Sequence, residues 1–175
     1  MKISKVNEYC LWLRYGNPVM TESLLFDRRN IEALNTLPVL PWVINLTENK
    51  MTLTYIMDNE TKVLGLGENL RGMNKRGGLY ESFCTDDPVH TPDKKSLYGA
   101  HNFLLVTGET NIGLFIDYPG EITYDIGFTF HNEIRITIND VNVDLYVFQQ
   151  GSLKELTLAF RSLMGSDYAA PKWAF

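Results

Sequence analysis

The chain reads as all-β with minor α, an antiparallel β-sandwich closed by one short helix near its carboxyl end. Three observations predict this. Apolar residues recur with period two in many short segments, as on half-buried strands. Gly, Asn and Asp punctuate those segments at close intervals. One stretch only, from Gly151 to Gly165, changes to helical spacing.

Taken in order, Val6 to Leu13 alternates and is expected to be the first strand, ending at Tyr15-Gly16-Asn17-Pro18. Glu22 to Leu37 is mixed, and the residues leave a short helix or a loop open. Met51-Thr52-Leu53-Thr54-Tyr55-Ile56 alternates cleanly and stops at Asp58-Asn59. Phe103 to Val106 and Ile112 to Ile116 are continuous apolar runs joined by Thr107-Gly108-Glu109-Thr110-Asn111, a hairpin-like connection. Ile134 to Ile138 alternates again and ends at Asn139-Asp140, after which Val143 to Phe148 forms a further strand. Ser152 with Glu155 three residues on makes a capping box. Leu153, Leu156, Phe160, Leu163 and Met164 follow at helical spacing, and Gly165 stands where a terminating glycine belongs, so a helix is expected over about 152–164 with its apolar stripe on the sandwich. Pro171-Lys172-Trp173-Ala174-Phe175 is apolar enough to dock on something.

With 175 residues and no linker or repeat, 1–175 is expected to be a single domain. Hydrophobic residues make up 45% and aromatics 12%, a folded rather than a disordered composition. The net charge of -5, without a Lys/Arg cluster, disfavours a nucleic-acid partner. A neutral sugar needs neither sign of charge. No apolar run approaches the ~18 residues of a membrane span. Met1 to Gly16 lacks the pattern of a signal peptide, and Cys10 and Cys84 are expected to be free thiols, so the location read is cytoplasmic. Neither cysteine has a second ligand at metal spacing, and no cofactor is called for.

Chemistry, if present, belongs to Gly65 to Ala100, a long span rich in Gly, Asn, Asp and charge. Gly65-Leu66-Gly67-Glu68-Asn69-Leu70-Arg71-Gly72 has the glycine spacing of a dinucleotide loop, but the βαβ context that would make it one is missing, and turns with positive φ are the simpler use. His90, His101 and His131 could serve proton transfer with a carboxylate, yet no motif brings them together. Trp12, Trp42 and Trp173 could stack on a sugar, as in a free-standing carbohydrate-binding module, although packing is the commoner use of such residues.

Several motifs nevertheless occur in a recognisable order: Gly65-Leu66-Gly67-Glu68, Asn74-Lys75-Arg76-Gly77, Thr85-Asp86-Asp87, Leu97-Tyr98-Gly99-Ala100-His101-Asn102-Phe103, Gly113 to Pro119, Asp144 to Phe148, and Pro171 to Phe175. In this order the chain resembles the amino-terminal domain of family 31 glycoside hydrolases of the α-glucosidase kind, over about its last two-thirds. The resemblance implies a β-sandwich like that of sugar mutarotases, lying against a catalytic barrel. It also implies retaining hydrolysis of α-linked oligosaccharides by two barrel aspartates. Nothing in the chain matches the barrel motifs, so no catalytic residue is assigned to it, and the chain alone is expected to be inactive.

By the same resemblance Asp86 is the residue expected to contact the sugar; otherwise it joins Asp87 in an Asx turn before Pro88. Asp87 is expected to shape that turn. Asn74, Lys75 and Arg76 are expected to brace the loop, with sugar contact or a solvated face as the alternatives. Gly72 to Lys95 as a whole is expected to be poorly held without the barrel it faces.

Overall fold

The computed structural model describes residues 1–19, 31–165 and 171–174. Its strands in chain order are β1 (Lys2–Lys5), β2 (Cys10–Tyr15), β3 (Glu32–Ala33), β4 (Val43–Leu46), β5 (Met51–Ile56) and β6 (Lys62–Gly67). They continue as β7 (Gly78–Glu81), β8 (Ala100–Thr107), β9 (Ile112–Asp117), β10 (Ile122–Ile126), β11 (Glu133–Ile138) and β12 (Val143–Phe148). One helix follows, α1 (Leu153–Met164), and then a single 3-10 turn at Lys172–Ala174. Of the stretch left open at Glu22 to Leu37, 22–30 lies outside the described residues, and Glu32–Ala33 is a strand.

The strands form two sheets, of order β3-β1-β2-β12-β9-β8-β6 and β4-β5-β11-β10-β7, and every pairing is antiparallel. Period-two alternation produces the core directly. Leu11, Leu13, Leu114, Ile116, Val143, Leu145 and Val147 of the larger sheet meet Leu53, Ile122, Tyr124, Ile134, Ile136 and Ile138 of the smaller one. Burial of such side chains stabilises the fold by about 1.5–3 kcal/mol each, before the cost of ordering the chain.

The larger sheet is apolar on its outer face as well. Phe103, Phe115, Tyr146 and Phe148 point outward, and Leu156, Ala159, Phe160 and Leu163 of α1 cover them. Both bonds of the capping box form at Ser152, and the Gly165 amide donates to the Arg161 carbonyl at the other end. Phe160 stacks on Phe103 with centroids 4.0 Å apart. The covered face explains why β12 carries large apolar residues on both of its sides: all six of its residues are buried, with Asp144 paired to Arg14.

One expected strand is corrected. Val6 to Leu13 is not continuous, because the chain turns between β1 and β2. The Val6 amide donates to the Cys10 carbonyl at 2.9 Å, and the Asn7 side chain accepts from the Tyr9 amide at 3.0 Å. Asn7 closes this turn with its own side chain, and its competing local bond breaks the run that alternation alone would extend.

Candidate functional site

The Gly65 to Ala100 span is not one loop. It is a strap, 68–77, that carries the chain from the edge of the larger sheet to the edge of the smaller one, then β7, then an excursion over 82–99. The excursion leaves β7 with the Ser82 amide donating to the Ile122 carbonyl at 2.8 Å and rejoins the larger sheet at β8. Its two limbs hold each other. The Glu81 amide donates to the Lys95 carbonyl at 3.1 Å, and the Thr85 amide to the Leu97 carbonyl at 2.9 Å. The Thr85 and Ser96 hydroxyls are 2.8 Å apart, and Lys95 pairs with Glu81 at 2.8 Å. Leu97 is buried as its apolar anchor. The expectation of a poorly held Gly72 to Lys95 is therefore corrected: backbone bonds between the limbs, joined by bonds between polar side chains, hold it within the chain.

At the tip stand the two aspartates, and they differ. Asp87 accepts from the Val89 amide at 2.9 Å and pairs with Lys94, while the Tyr98 hydroxyl donates to the Asp87 carbonyl at 3.3 Å. The Lys94 ammonium, followed by the Val89 amide, holds the Asp87 carboxyl below the usual carboxylate range. Asp86 is exposed, and its carboxylate has no hydrogen-bond or ion-pair partner among the described residues. Asp87 makes the turn and Asp86 is left facing outward.

Asn74, Lys75 and Arg76 are placed elsewhere. Gly77 meets β10 at Ile126, whereas Ser82 meets it at Ile122. The four-residue difference puts the triplet and the aspartate loop toward opposite ends of that strand, about 13 Å apart along it. The Asn74 side chain accepts from the amides of Val63 at 3.0 Å and Arg76 at 3.2 Å. Lys75 is 5% exposed and donates to the Asn69 side chain at 2.6 Å and the Gly72 carbonyl at 3.0 Å; burial lowers its pKa. Arg76 donates to the carbonyls of Asp58 at 2.6 Å, Thr61 at 3.2 Å and His131 at 3.3 Å. These residues tie the strap to the far end of the sandwich and do not touch the aspartate tip.

The link between strap and tip is Arg71, which sequence reasoning passed over. Its Nε donates to the Pro92 carbonyl at 2.9 Å, and its guanidinium lies over the Tyr80 ring, 5.8 Å from the centroid. Lys94 was likewise unsignalled, since no periodicity marks a cation seven residues from its partner in a loop.

The remaining candidates separate. Gly65 and Gly67 have positive φ, but Gly72 does not, and the glycines lie in and beside β6 rather than ahead of a helix. His90 packs on Tyr98, His101 on Phe160, and His131 lies at the β10–β11 turn, so the three share no pocket. Trp42 is buried, Trp12 is stacked on Tyr146 and bonded to Asp144, and Trp173 is 86% exposed. Cys10 is buried and Cys84 exposed, and both are free. Among the described residues no cluster of three His, Cys, Asp or Glu could hold a metal ion, and no helix is long and apolar enough to cross a membrane.

Comparison with known proteins gives a consistent result. A family model described as the glycosyl hydrolase 31 N-terminal galactose mutarotase-like domain matches residues 21–125. The chain is 29% identical over 121 residues to alpha-glucosidase 2 of Bacillus thermoamyloliquefaciens, covering 68% of this chain and 15% of that protein. It is 22% identical over 128 residues to an alpha-glucosidase of Saccharolobus solfataricus, covering 73% of this chain and 18% of that protein. Among solved structures, a GH31 dextranase of Flavobacterium johnsoniae complexed with glucose superposes with a TM-score of 0.75 at 14% identity, over 98% of this chain and 26% of that one. The chain thus spans less than a fifth of the length of these two relatives.

Proposed function

The chain belongs to the family of glycosyl hydrolase 31 N-terminal galactose mutarotase-like domains, and from that premise we propose that it shapes a glycosidase active site whose reacting groups lie in a barrel domain of the same protein. In this reading the 82–99 loop reaches the barrel mouth, and Asp86 accepts hydrogen bonds from hydroxyls of the sugar bound beside the cleavage point. The observation that carries it is the contrast at the tip. Asp87, Lys94 and Tyr98 are engaged with one another there, while Asp86 presents an acceptor-only carboxylate outward.

Leu70, Met73, Phe83, Val89 and Tyr98 are exposed along the same span, apolar side chains available to a barrel packed against it. The substrate is an α-linked oligosaccharide. Retaining hydrolysis would need two barrel carboxyl groups about 5–5.5 Å apart, so this chain by itself should release nothing from an aryl α-glucoside. A free-standing sugar-binding module is less well supported, because Trp12 and Trp42 are used in packing and Trp173 alone of the three is exposed. Two free thiols agree with a cytoplasmic location.

The test is kinetic, on the protein that joins this chain to its barrel. Removing a charged acceptor for sugar hydroxyls costs ~1.5–3 kcal/mol per bond, so Asp86→Ala should lower kcat/KM roughly ten- to a hundredfold or more without abolishing turnover. Asp87→Ala should do less. Wild-type kcat/KM for Asp86→Ala on its best oligosaccharide would refute the assignment.

A further inference from the structure

The Gly65-Leu66-Gly67-Glu68 motif fits no phosphate site, yet its geometry is unusual. Gly65, Leu66 and Gly67 are consecutive residues with φ of 113°, 67° and 77°. The pairing of β6 with β8 shifts register across them, between Gly65 and Gly67. Positive φ at a leucine is costly and persists only where surroundings enforce it.

The two glycines are required by contact as well as by torsion. A Cβ on Gly65 would stand 2.3 Å from the Phe103 carbonyl oxygen, and one on Gly67 2.4 Å from that of Gly99. The bulge so formed turns Glu68 onto Gly99. The Glu68 amide donates to the Gly99 carbonyl at 2.7 Å, and the Gly99 amide donates to Glu68 Oε2 at 3.0 Å. Both backbone groups of one residue are thus held by one glutamate.

Gly99 is the last residue of the excursion before β8. The internal bonds of 82–99 define the loop's shape but not the direction in which it projects. Direction depends on where the loop is tied to the body of the sandwich: at Ser82 where it leaves, at Pro92 through Arg71, at Lys95 through Glu81 of β7, at the buried Leu97, and at Gly99 where it returns. Of these, Gly99 is a glycine with no side chain to restrain it, and without a clasp it would act as a hinge.

We propose that Glu68 is a positioning residue for Asp86, clasping Gly99 and thereby fixing the direction in which the aspartate loop projects. This rests on the sugar-contacting reading of Asp86. Displacement of a contact by about 1 Å can cost up to a hundredfold in rate, so Glu68→Ala, in the protein that carries the barrel, should lower kcat/KM by roughly ten- to a hundredfold. Glu68→Gln keeps an oxygen to accept from the Gly99 amide and should restore most of that loss.

The loss should also vanish in an Asp86→Ala background, because a residue acting only through Asp86 has nothing left to position. Hydrogen–deuterium exchange on the same protein supplies the physical readout. Peptides containing Gly99 should exchange faster in Glu68→Ala, while those covering Met51–Ile56 stay as in wild type. A costly Asp86→Ala with a silent Glu68→Ala would overturn the proposal and leave the Asp86 assignment standing. So would a Glu68→Ala loss that persists undiminished beside Asp86→Ala, or unchanged exchange at Gly99. A silent Asp86→Ala would instead remove the assignment itself.

Discussion

The outer face of the larger sheet and the 68–99 span spend apolar side chains in opposite ways. On the sheet, Phe103, Phe115, Tyr146 and Phe148 are covered by α1, and the chain closes that face itself. On the span, Met73, Phe83 and Val89 point into solvent, with Met73 81% exposed, while the backbone beneath them is held by polar bonds. The first region is stabilised by burial, and the second by hydrogen bonding around a few buried anchors, Tyr80 and Leu97. Exposed apolar side chains on a frame held in this way agree with the proposed contact with another domain.

The largest effect expected from this contrast is at the helix. Phe160→Ala would remove the ring stacked on Phe103 and edge-on to Phe148, and should destabilise the chain by about 3–5 kcal/mol in urea unfolding. A cost below 1 kcal/mol would mean that the helix does not close the face as described.

A smaller, pH-dependent effect is expected at Asp87. Its folded pKa lies below its unfolded value because of Lys94 and the Val89 amide. Its contribution is therefore complete above the unfolded value, about 3.9, and is lost as pH falls through the lower folded value. Asp87→Asn should flatten the acid limb of the stability curve there by slightly lowering stability at neutral pH, while leaving stability below the folded value nearly unchanged. An unaltered acid limb would show that the Lys94 pairing does not hold the tip.

The smallest effect is at Met73. Met73→Ser should change the stability of the isolated chain by less than about 0.5 kcal/mol, as for other exposed positions, and yet weaken its association with a separately supplied barrel. A loss above 1 kcal/mol in the isolated chain would place Met73 in the core and erase the distinction.

The same contrast explains what the sequence could tell. Met51–Ile56 and Val143–Phe148 are strands over the residues that alternation or apolar continuity marks, and Ser152 with Glu155 marks the helix start in which both capping bonds form. Ile122-Thr123-Tyr124-Asp125-Ile126 carries the same alternation and was legible, though it is not among the strands named from sequence. Lys2–Lys5 gave no such signal, because it has no fully buried position.

The site was legible only in part. That Asp86 and Asp87 share a tip follows from adjacency, but that one is engaged and the other is not depends on Lys94, Val89 and Tyr98, which no periodicity connects. The separation of Asn74 to Arg76 from Asp86 depends on β7, four residues that carry the chain along the sheet edge. Spacing in sequence cannot distinguish a strap that runs the length of a sheet from a loop that stays in place.

The position of β12 has a consequence for how the chain is made. It is the central strand of the larger sheet, and it pairs with β2 across a separation of about 130 residues, as at Arg14 and Asp144. Translation at about 5–20 residues per second leaves β2 without that neighbour for roughly 6–26 s. Half of the sheet must wait as an unmatched edge for its keystone, and the aromatic surface that α1 covers is the last to leave water. Nascent chains stalled before residue 143 should accordingly be cut readily by protease, and chains stalled well beyond 164 should resist.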